Sequence, residues 1–351
     1  MTGTLKIEPK KRRAMKVGLR TGLLLDNTPT SWSEDAPRPV RWSAWYPASD
    51  DAIAIVEKSD LFDIGTIARN AAINNRRPTY STVLLSHGTG GAAISLNWLA
   101  TRLAAEGYIV IGPDHHGNTV TEPFHPAGFA AWWERARDLT FALDALSTEG
   151  FLSGHIGGDI SAIGFSLGGY TAMCLLGAVT DFELFKAWAH KNGARRGPPQ
   201  FPDLPDLMPG LMMEPAFLES WARQSQSYKD SRVRRAILLA PAPPVRAFTP
   251  ESLATITEPV TIMVGGDDHE APADACAAWL NTQIPTSELY NLGDRVGHAT
   301  FLGLGTDRSR KESPDLYVDN FGVDRALIHE SVVALTLTAL GFGSGISRNL
   351  L

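Results

Sequence analysis

The stretch that most constrains this chain's fold is Gly164-Phe165-Ser166-Leu167-Gly168-Gly169. An apolar run, Ile160 to Phe165, leads into it. An apolar helical pattern, Leu167 to Leu176, leads out. That context predicts strand, sharp turn and helix. Glycine on both sides of the turn lets strand and helix approach closely, because no Cβ stands between them. The serine then sits at the carboxyl end of a buried strand, beside the positive end of a helix. A Gly-x-Ser-x-Gly turn in that setting is a nucleophile elbow. The pentapeptide by itself is equally compatible with a turn of no chemical meaning, so the rest of the chain has to decide.

Upstream, Thr82 to Ser86 reads as a buried strand that ends in His87-Gly88-Thr89-Gly90-Gly91. A glycine-rich loop after a central strand can aim a backbone N–H at a neighbouring oxyanion. The second donor would be the N–H of the residue after the nucleophile. The expected oxyanion hole is therefore Thr89 and Leu167. Downstream, Val260 to Val264 is another buried strand, running into Gly265-Gly266-Asp267-Asp268-His269-Glu270-Ala271-Pro272. A strand-like Leu289 to Leu292 follows, then Val296-Gly297-His298-Ala299-Thr300-Phe301-Leu302. These supply an acid and a loop histidine in the chain order Ser, Asp, His. Chymotrypsin-like and subtilisin-like enzymes use other orders.

The residues so assembled resemble the α/β-hydrolase superfamily. Within it they look most like the serine-dependent group related to dienelactone hydrolases and platelet-activating-factor acetylhydrolases. The resemblance runs from about Val17 to about Leu340. It includes Gly112 to Thr119, Trp133 to Leu139, and Asp230-Ser231-Arg232-Val233 before Ala236 to Pro241. It implies Ser166 as nucleophile, His298 as general base and an Asp to orient it. The spacing Gly265-x-x-Asp268-x-x-x-Pro272 matches the family's acid loop in register, which favours Asp268 over Asp267. Two departures stand out. Dienelactone hydrolases proper use cysteine where this chain has Ser166. The acetylhydrolases carry their acid one strand earlier, where this chain has Ala240-Pro241-Ala242-Pro243 and no carboxylate.

Apolar runs and breakers set the organisation. Val17 to Leu25 and Val40 to Tyr46 look like an opening antiparallel pair. Asp50 to Arg77 is polar and is expected to wrap the surface. Helices are expected over Asn97 to Glu106, Ala130 to Leu146 and Arg325 to Leu340, with strands alternating between. The prediction is one α/β domain over residues 1–351: a mostly parallel central sheet, helices on both faces, and a helical lid. The lid is residues 180–232, too long for a connector. It carries Met212, Met213, Phe217 and Trp221. Met212, Met213 and Phe217 are candidates for an adaptable acyl or alcohol pocket. The competing reading makes them the lid's own small core, and the sequence leaves both open.

Other features suggest little chemistry. With 351 residues, 44% of them hydrophobic, the chain can bury one large core. A net charge of -6 argues against nucleic acid and anionic membrane surfaces as partners. Lys10-Lys11-Arg12-Arg13 reads as a solvated basic run. Cys174 and Cys276 are too few for a disulfide framework; Cys174 reads as core, Cys276 falls in the helix after the acid loop, and neither has a visible activating partner. No stretch approaches the ~18 apolar residues of a membrane span. Lys16 and Arg20 interrupt the amino-terminal apolar stretch, so a cytoplasmic location is expected. Asp114-His115-His116 lacks a second cluster at metal spacing, and His269 only adjoins the acid; no metal or organic cofactor is expected. Trp132-Trp133 is expected on a helix as core and lid contact. Arg135 and Asp138, three apart, are expected to pair.

The function expected is hydrolysis of a carboxylic ester through an acyl-enzyme, on a small substrate with an apolar part. An amidase, peptidase or acyltransferase could use the same triad. A catalytically dead binding module is disfavoured because Ser166, Asp268 and His298 are all present. Oligomeric state is not readable from the sequence.

Overall fold

A computed structural model describes residues 14–27, 32, 36–148, 150–193 and 196–341. The Lys10 to Arg13 run, and Ala194 and Arg195 of the 180–232 segment, lie outside the described residues.

Among the described residues, ten strands form one sheet: β1 (Val17–Asp26), β2 (Arg38–Pro47), β3 (Ile55–Lys58), β4 (Asp63–Arg69), β5 (Tyr80–Ser86), β6 (Tyr108–Asp114), β7 (Ile156–Phe165), β8 (Val233–Leu239), β9 (Val260–Val264) and β10 (Ser287–Asn291). Their order is β10-β9-β8-β7-β5-β6-β2-β1-β4-β3. From β10 through β6 all neighbours are parallel; β2 meets both β6 and β1 antiparallel. Strands of such a parallel segment are covered on both faces. Accordingly, every residue of β6 and of β9 is buried.

From β5 onward, helices alternate with the strands. They are α1 (Asn97–Ala105), α2 (Pro126–Ala130), α3 (Glu134–Thr148), α4 (Leu167–Leu175), α5 (Phe182–Lys191), α6 (Leu204–Leu211), α7 (Pro215–Trp221), α8 (Pro250–Ala254), α9 (Trp279–Gln283), α10 (Asp307–Glu312), α11 (Pro314–Tyr317) and α12 (Arg325–Ala339). Successive strand residues point to opposite faces. Thus Leu84 packs in the core with Leu139 and Leu143 of α3 and Tyr170 of α4. Its neighbours Val83 and Leu85 pack with Leu99 and Leu103 of α1 and Val332 of α12. All nine residues of α4 are buried, as expected of a helix that is apolar on every side.

The sheet order reverses beside β5. The chain goes from β5 to β6 on one side, then returns to β7 on the other. A crevice opens outside the carboxyl ends of the strands at such a switch point. Ser86 ends β5 and is in register with Gly164, one residue before the end of β7. The loop from His87 and the turn at Ser166 therefore leave the sheet side by side.

Three expectations need correction. Asp50 to Arg77 does not merely wrap the surface, because β3 and β4 extend the sheet beyond β1. The strand signal was weak because β3, at the edge, has Ile55 and Val56 exposed. The helix expected from Ala130 to Leu146 is two helices, broken between Ala130 and Glu134, so Trp132 and Trp133 occupy a turn. Their expected burial does hold: Trp132 packs against Phe182 and Phe185, and Trp133 against Trp221. Finally, Asp138 attracts Arg135 electrostatically but does not hydrogen-bond it. It binds Arg38 Nε at 2.9 Å and His115 Nδ1 at 2.9 Å.

The 180–232 segment leaves the sheet after α4 and holds α5, α6 and α7 before β8 begins. It is tied to the start of α3. Trp133 Nε1 donates to the Ser220 carbonyl at 3.0 Å, and Ser220 Oγ donates to Glu134 at 2.6 Å. Among the described residues, no helix is long and apolar enough to cross a membrane.

Candidate active site

Ser166 occupies the single residue between β7 and α4, with φ 55 and ψ -118. That left-handed backbone is unusual for a non-glycine residue, and such strain clusters at functional sites. The flanking glycines make it possible. A Cβ at Gly164 would collide with the Gly168 carbonyl, and one at Gly168 with the Ser86 carbonyl. Ser166 N–H donates to the Leu239 carbonyl of β8 at 2.8 Å, and its carbonyl accepts from Gly169 at 2.9 Å. The turn is thus held from both sides.

Ser166 Oγ lies 2.9 Å from His298 Nε2, and His298 Nδ1 lies 2.7 Å from Asp268 Oδ2. The other Asp268 oxygen accepts the Ala271 N–H at 2.7 Å. The Asp268 side chain is 0% exposed and that of His298 17%. A buried carboxylate behind a mostly buried imidazole fixes the tautomer: Nδ1 carries the hydrogen and Nε2 faces the serine. Asp267 points elsewhere. It accepts from Asn320 Nδ2 at 2.7 Å and lies 3.2 Å from His269 Nε2. The structure therefore brings Ser166, Asp268 and His298 together and leaves Asp267 and His269 outside.

His298 begins a short 3₁₀ turn that ends at Phe301. Trp98 Nε1 donates to the Phe301 carbonyl at 3.0 Å, and His329 Nε2 donates to the Thr300 carbonyl at 2.9 Å. Thr300 Oγ1 donates to Asp319 at 2.7 Å, and Arg325 Nε binds the same carboxylate at 2.9 Å. Burial pushes His329 down to about 4, so it is neutral here. These contacts to Thr300 and Phe301 span 19 to 203 residues of sequence, and no local motif announced them.

On the opposite wall, the His87 loop is held by its own side chain. His115 N–H donates to His87 Nε2 at 3.1 Å, which leaves the hydrogen on Nδ1, and Nδ1 donates to the Gly88 carbonyl at 2.7 Å. Burial, with Arg135 and His115 nearby, keeps His87 well below its usual range and neutral. The Gly88 carbonyl shares its peptide plane with the Thr89 N–H, so this bond sets the direction of that donor. Gly90 N–H is already taken by Asn118 Oδ1 at 2.6 Å. Among the described residues, Thr89 N–H and Leu167 N–H have no hydrogen-bond acceptor. Gly88 packs on the nucleophile: a Cβ there would meet Ser166 Cβ at 3.2 Å and the Phe165 ring at 3.0 Å.

Asp114-His115-His116 sends its side chains to separate partners. Asp114 accepts from Ala93 N–H and Thr121, His116 contacts Glu122, and His115 binds Ser86 and Asp138. Ser86, His115 and Asp138 repeat the order of the outer site at 2.9 Å and 2.9 Å, but all three are buried. His115 is lowered far below the usual range by burial and by Arg135 and Arg38. Its Nε2 therefore accepts the Ser86 hydroxyl. Sequence reasoning missed Ser86, Asn118 and this inner chain. Burial also pushes the thiols of Cys174 and Cys276 up to about 12.

The three pocket candidates are dispersed. Phe217 is fully buried among Ala127, Phe129 and Trp133, and Met212 packs partly against the same cluster. Met213 is 81% exposed. Another residue of the segment reaches the His87 loop: a Cβ at Gly90 would lie 2.7 Å from Gln200 Nε2.

A reversing parallel sheet, a serine on a strained strand-to-helix turn and a histidine paired to a carboxylate define a hydrolase class. The chain belongs to the Alpha/beta hydrolase family, whose model matches residues 82–319. Among solved structures it is similar to a ferulic acid esterase from Streptomyces cinnamoneus, at 18% identity and a TM-score of 0.63. That match covers 98% of this chain and 94% of the other. At that identity the likeness establishes the fold. No curated protein matches the sequence.

Proposed function

We propose that this hydrolase cleaves carboxylic esters through an acyl-enzyme on Ser166. The observation that carries the reading is the hydrogen-bonded chain from Ser166 Oγ through His298 to buried Asp268. His298 Nε2 takes the hydroxyl proton as Ser166 Oγ attacks the substrate carbonyl. Asp268 holds the imidazolium that forms. The Thr89 and Leu167 N–H groups receive the oxyanion; one such donor is worth about 3 kcal/mol of barrier. The tetrahedral intermediate collapses as His298 protonates the departing alcohol. Water, activated by His298, then releases the acid and restores Ser166. Side chains and water supply every proton and nucleophile in this sequence.

The 180–232 segment acts as the lid, and its Gln200 reaches the His87 loop at Gly90. The burial of Phe217 supports its reading as lid core. An amidase or an acyltransferase would use the same steps with a different leaving group or acceptor. Matched p-nitrophenyl esters and anilides, with feruloyl esters added because of the structural neighbour, test the reading. Ester turnover with stoichiometric fluorophosphonate labelling of Ser166 supports it. Absence of both, in folded protein, overturns it.

A further inference from the structure

Arg135 stands behind both halves of the proposed oxyanion hole. It lies near the start of α3 and is fully buried. Its Nη2 donates to the His87 carbonyl and lies 3.4 Å from Ser86 Oγ. Its Nε donates to Thr171 Oγ1 at 3.2 Å, and that hydroxyl donates onward to the Leu167 carbonyl at 3.2 Å. One planar group therefore spans the crevice floor. On one side it grips the loop two residues before Thr89; on the other it grips the first turn of α4 at Leu167.

The cost of this arrangement is visible. Arg135 Nη1 is buried without a hydrogen-bond partner among the described residues. A buried donor without a partner is destabilising, even with the Asp138 carboxylate close enough to attract the guanidinium. That cost calls for a reason why a guanidinium stands here. Its rigid fork, whose donors point in fixed directions, gives one. The inner chain braces the same spot: Ser86 Oγ to His115, His115 to Asp138, and Asp138 to Arg38.

We propose that Arg135 is a positioning residue that sets the spacing between the Thr89 and Leu167 N–H groups, and hence the fit of the oxyanion. It touches no reacting atom and acts through the His87 carbonyl and Thr171. The inference rests on the reading of Ser166 as nucleophile.

The test compares wild type with Arg135→Met, Arg135→Lys and Thr171→Val. For each, kcat and KM for p-nitrophenyl acetate are measured beside the affinity for phenylboronic acid, whose tetrahedral adduct on Ser166 occupies the oxyanion hole. The expected result for the Arg135 variants is a fall of about tenfold or more in kcat, with KM within about twofold. Boronate affinity should fall by the same factor, Arg135→Lys should recover part of the loss, and Thr171→Val should show a smaller loss of the same kind. A residue that only stabilised the fold would lower melting temperature and active fraction, and leave the boronate affinity of the folded fraction unchanged. That outcome overturns the proposal. If neither Arg135 variant folds, Thr171→Val decides, and unchanged kcat and boronate affinity in that variant overturn it. Wild type that is active and labelled at Ser166 while these variants behave like it sinks only this inference. Wild type that is inactive and unlabelled sinks the ester-hydrolase reading, and this inference with it.

Discussion

His298 Nε2 lies 2.9 Å from Ser166 Oγ across 132 residues of sequence. The sheet makes that distance possible, because β7 delivers the serine and the loop after β10 delivers the histidine to the same edge. Ser166→Ala should leave the fold intact and lower ester turnover by several orders of magnitude, since nucleophile and base act as one unit. Steady-state kinetics and fluorophosphonate labelling check this. Full turnover by folded Ser166→Ala protein would refute the mechanism.

The two adjacent carboxylates make a sharper test. Asp268 is buried against His298, whereas Asp267 is partly exposed and bonded to Asn320. Asp268→Asn should lower kcat by about 10⁴-fold, because the amide favours the wrong imidazole tautomer. Asp267→Asn should change it by less than about tenfold, as expected of a group that only supports a loop. The reverse ranking would move the acid to Asp267.

Much of this site was legible because its signals are local. The glycines around Ser166 and the Gly265 to Pro272 loop are short motifs, and each encodes one backbone shape. What the sequence hid was long-range. Arg135 and Asp138 sit at helical spacing, and proximity on the helix suggested a pair. Asp138 instead hydrogen-bonds Arg38, 100 residues earlier on β2, and His115, and reaches Arg135 only through its charge. No periodicity reports such a contact. Strand β3 was missed for a different reason: its outward residues are apolar, and an edge strand has no second buried face to pattern it. The tautomer of His87 depends on a backbone N–H from another strand end, which only the fold brings near.

The buried histidines predict loss of stability in acid. His329 is held at about 4 by burial, against about 6.5 when unfolded. His87 and His115 are shifted in the same direction. A folded pKa below the unfolded one means that the unfolded chain binds the extra proton. Stability present above pH ~6.5 is therefore lost as the pH falls toward ~4. Urea midpoints from pH 7.5 to 5 should fall accordingly. His329→Gln removes one such group, so its stability should fall less steeply, by at most ~1.4 kcal/mol per pH unit. Equal slopes in the two proteins would show that His329 is not buried neutral.

The last prediction separates lid core from pocket. Phe217 is fully buried, its ring tilted against Trp221 in a cluster that includes Trp133. Deleting a buried phenyl ring costs about 3–5 kcal/mol when the site cannot collapse. Phe217→Ala should therefore lower the melting temperature markedly and leave the preferred acyl chain length unmoved. Met213, almost wholly in solvent, should tolerate alanine with a stability change within about 0.5 kcal/mol. Met212 is the discriminating position, since it packs only partly against the cluster. If it contributes to the acyl pocket, Met212→Ala should lower kcat/KM for long-chain p-nitrophenyl esters by roughly five- to tenfold and spare the acetyl ester, because a lost methylene contact is worth about 1 kcal/mol only to substrates that reach it. A chain-length profile unchanged in Met212→Ala, together with a lowered melting temperature, would assign all of the buried apolar residues of this segment to its own packing.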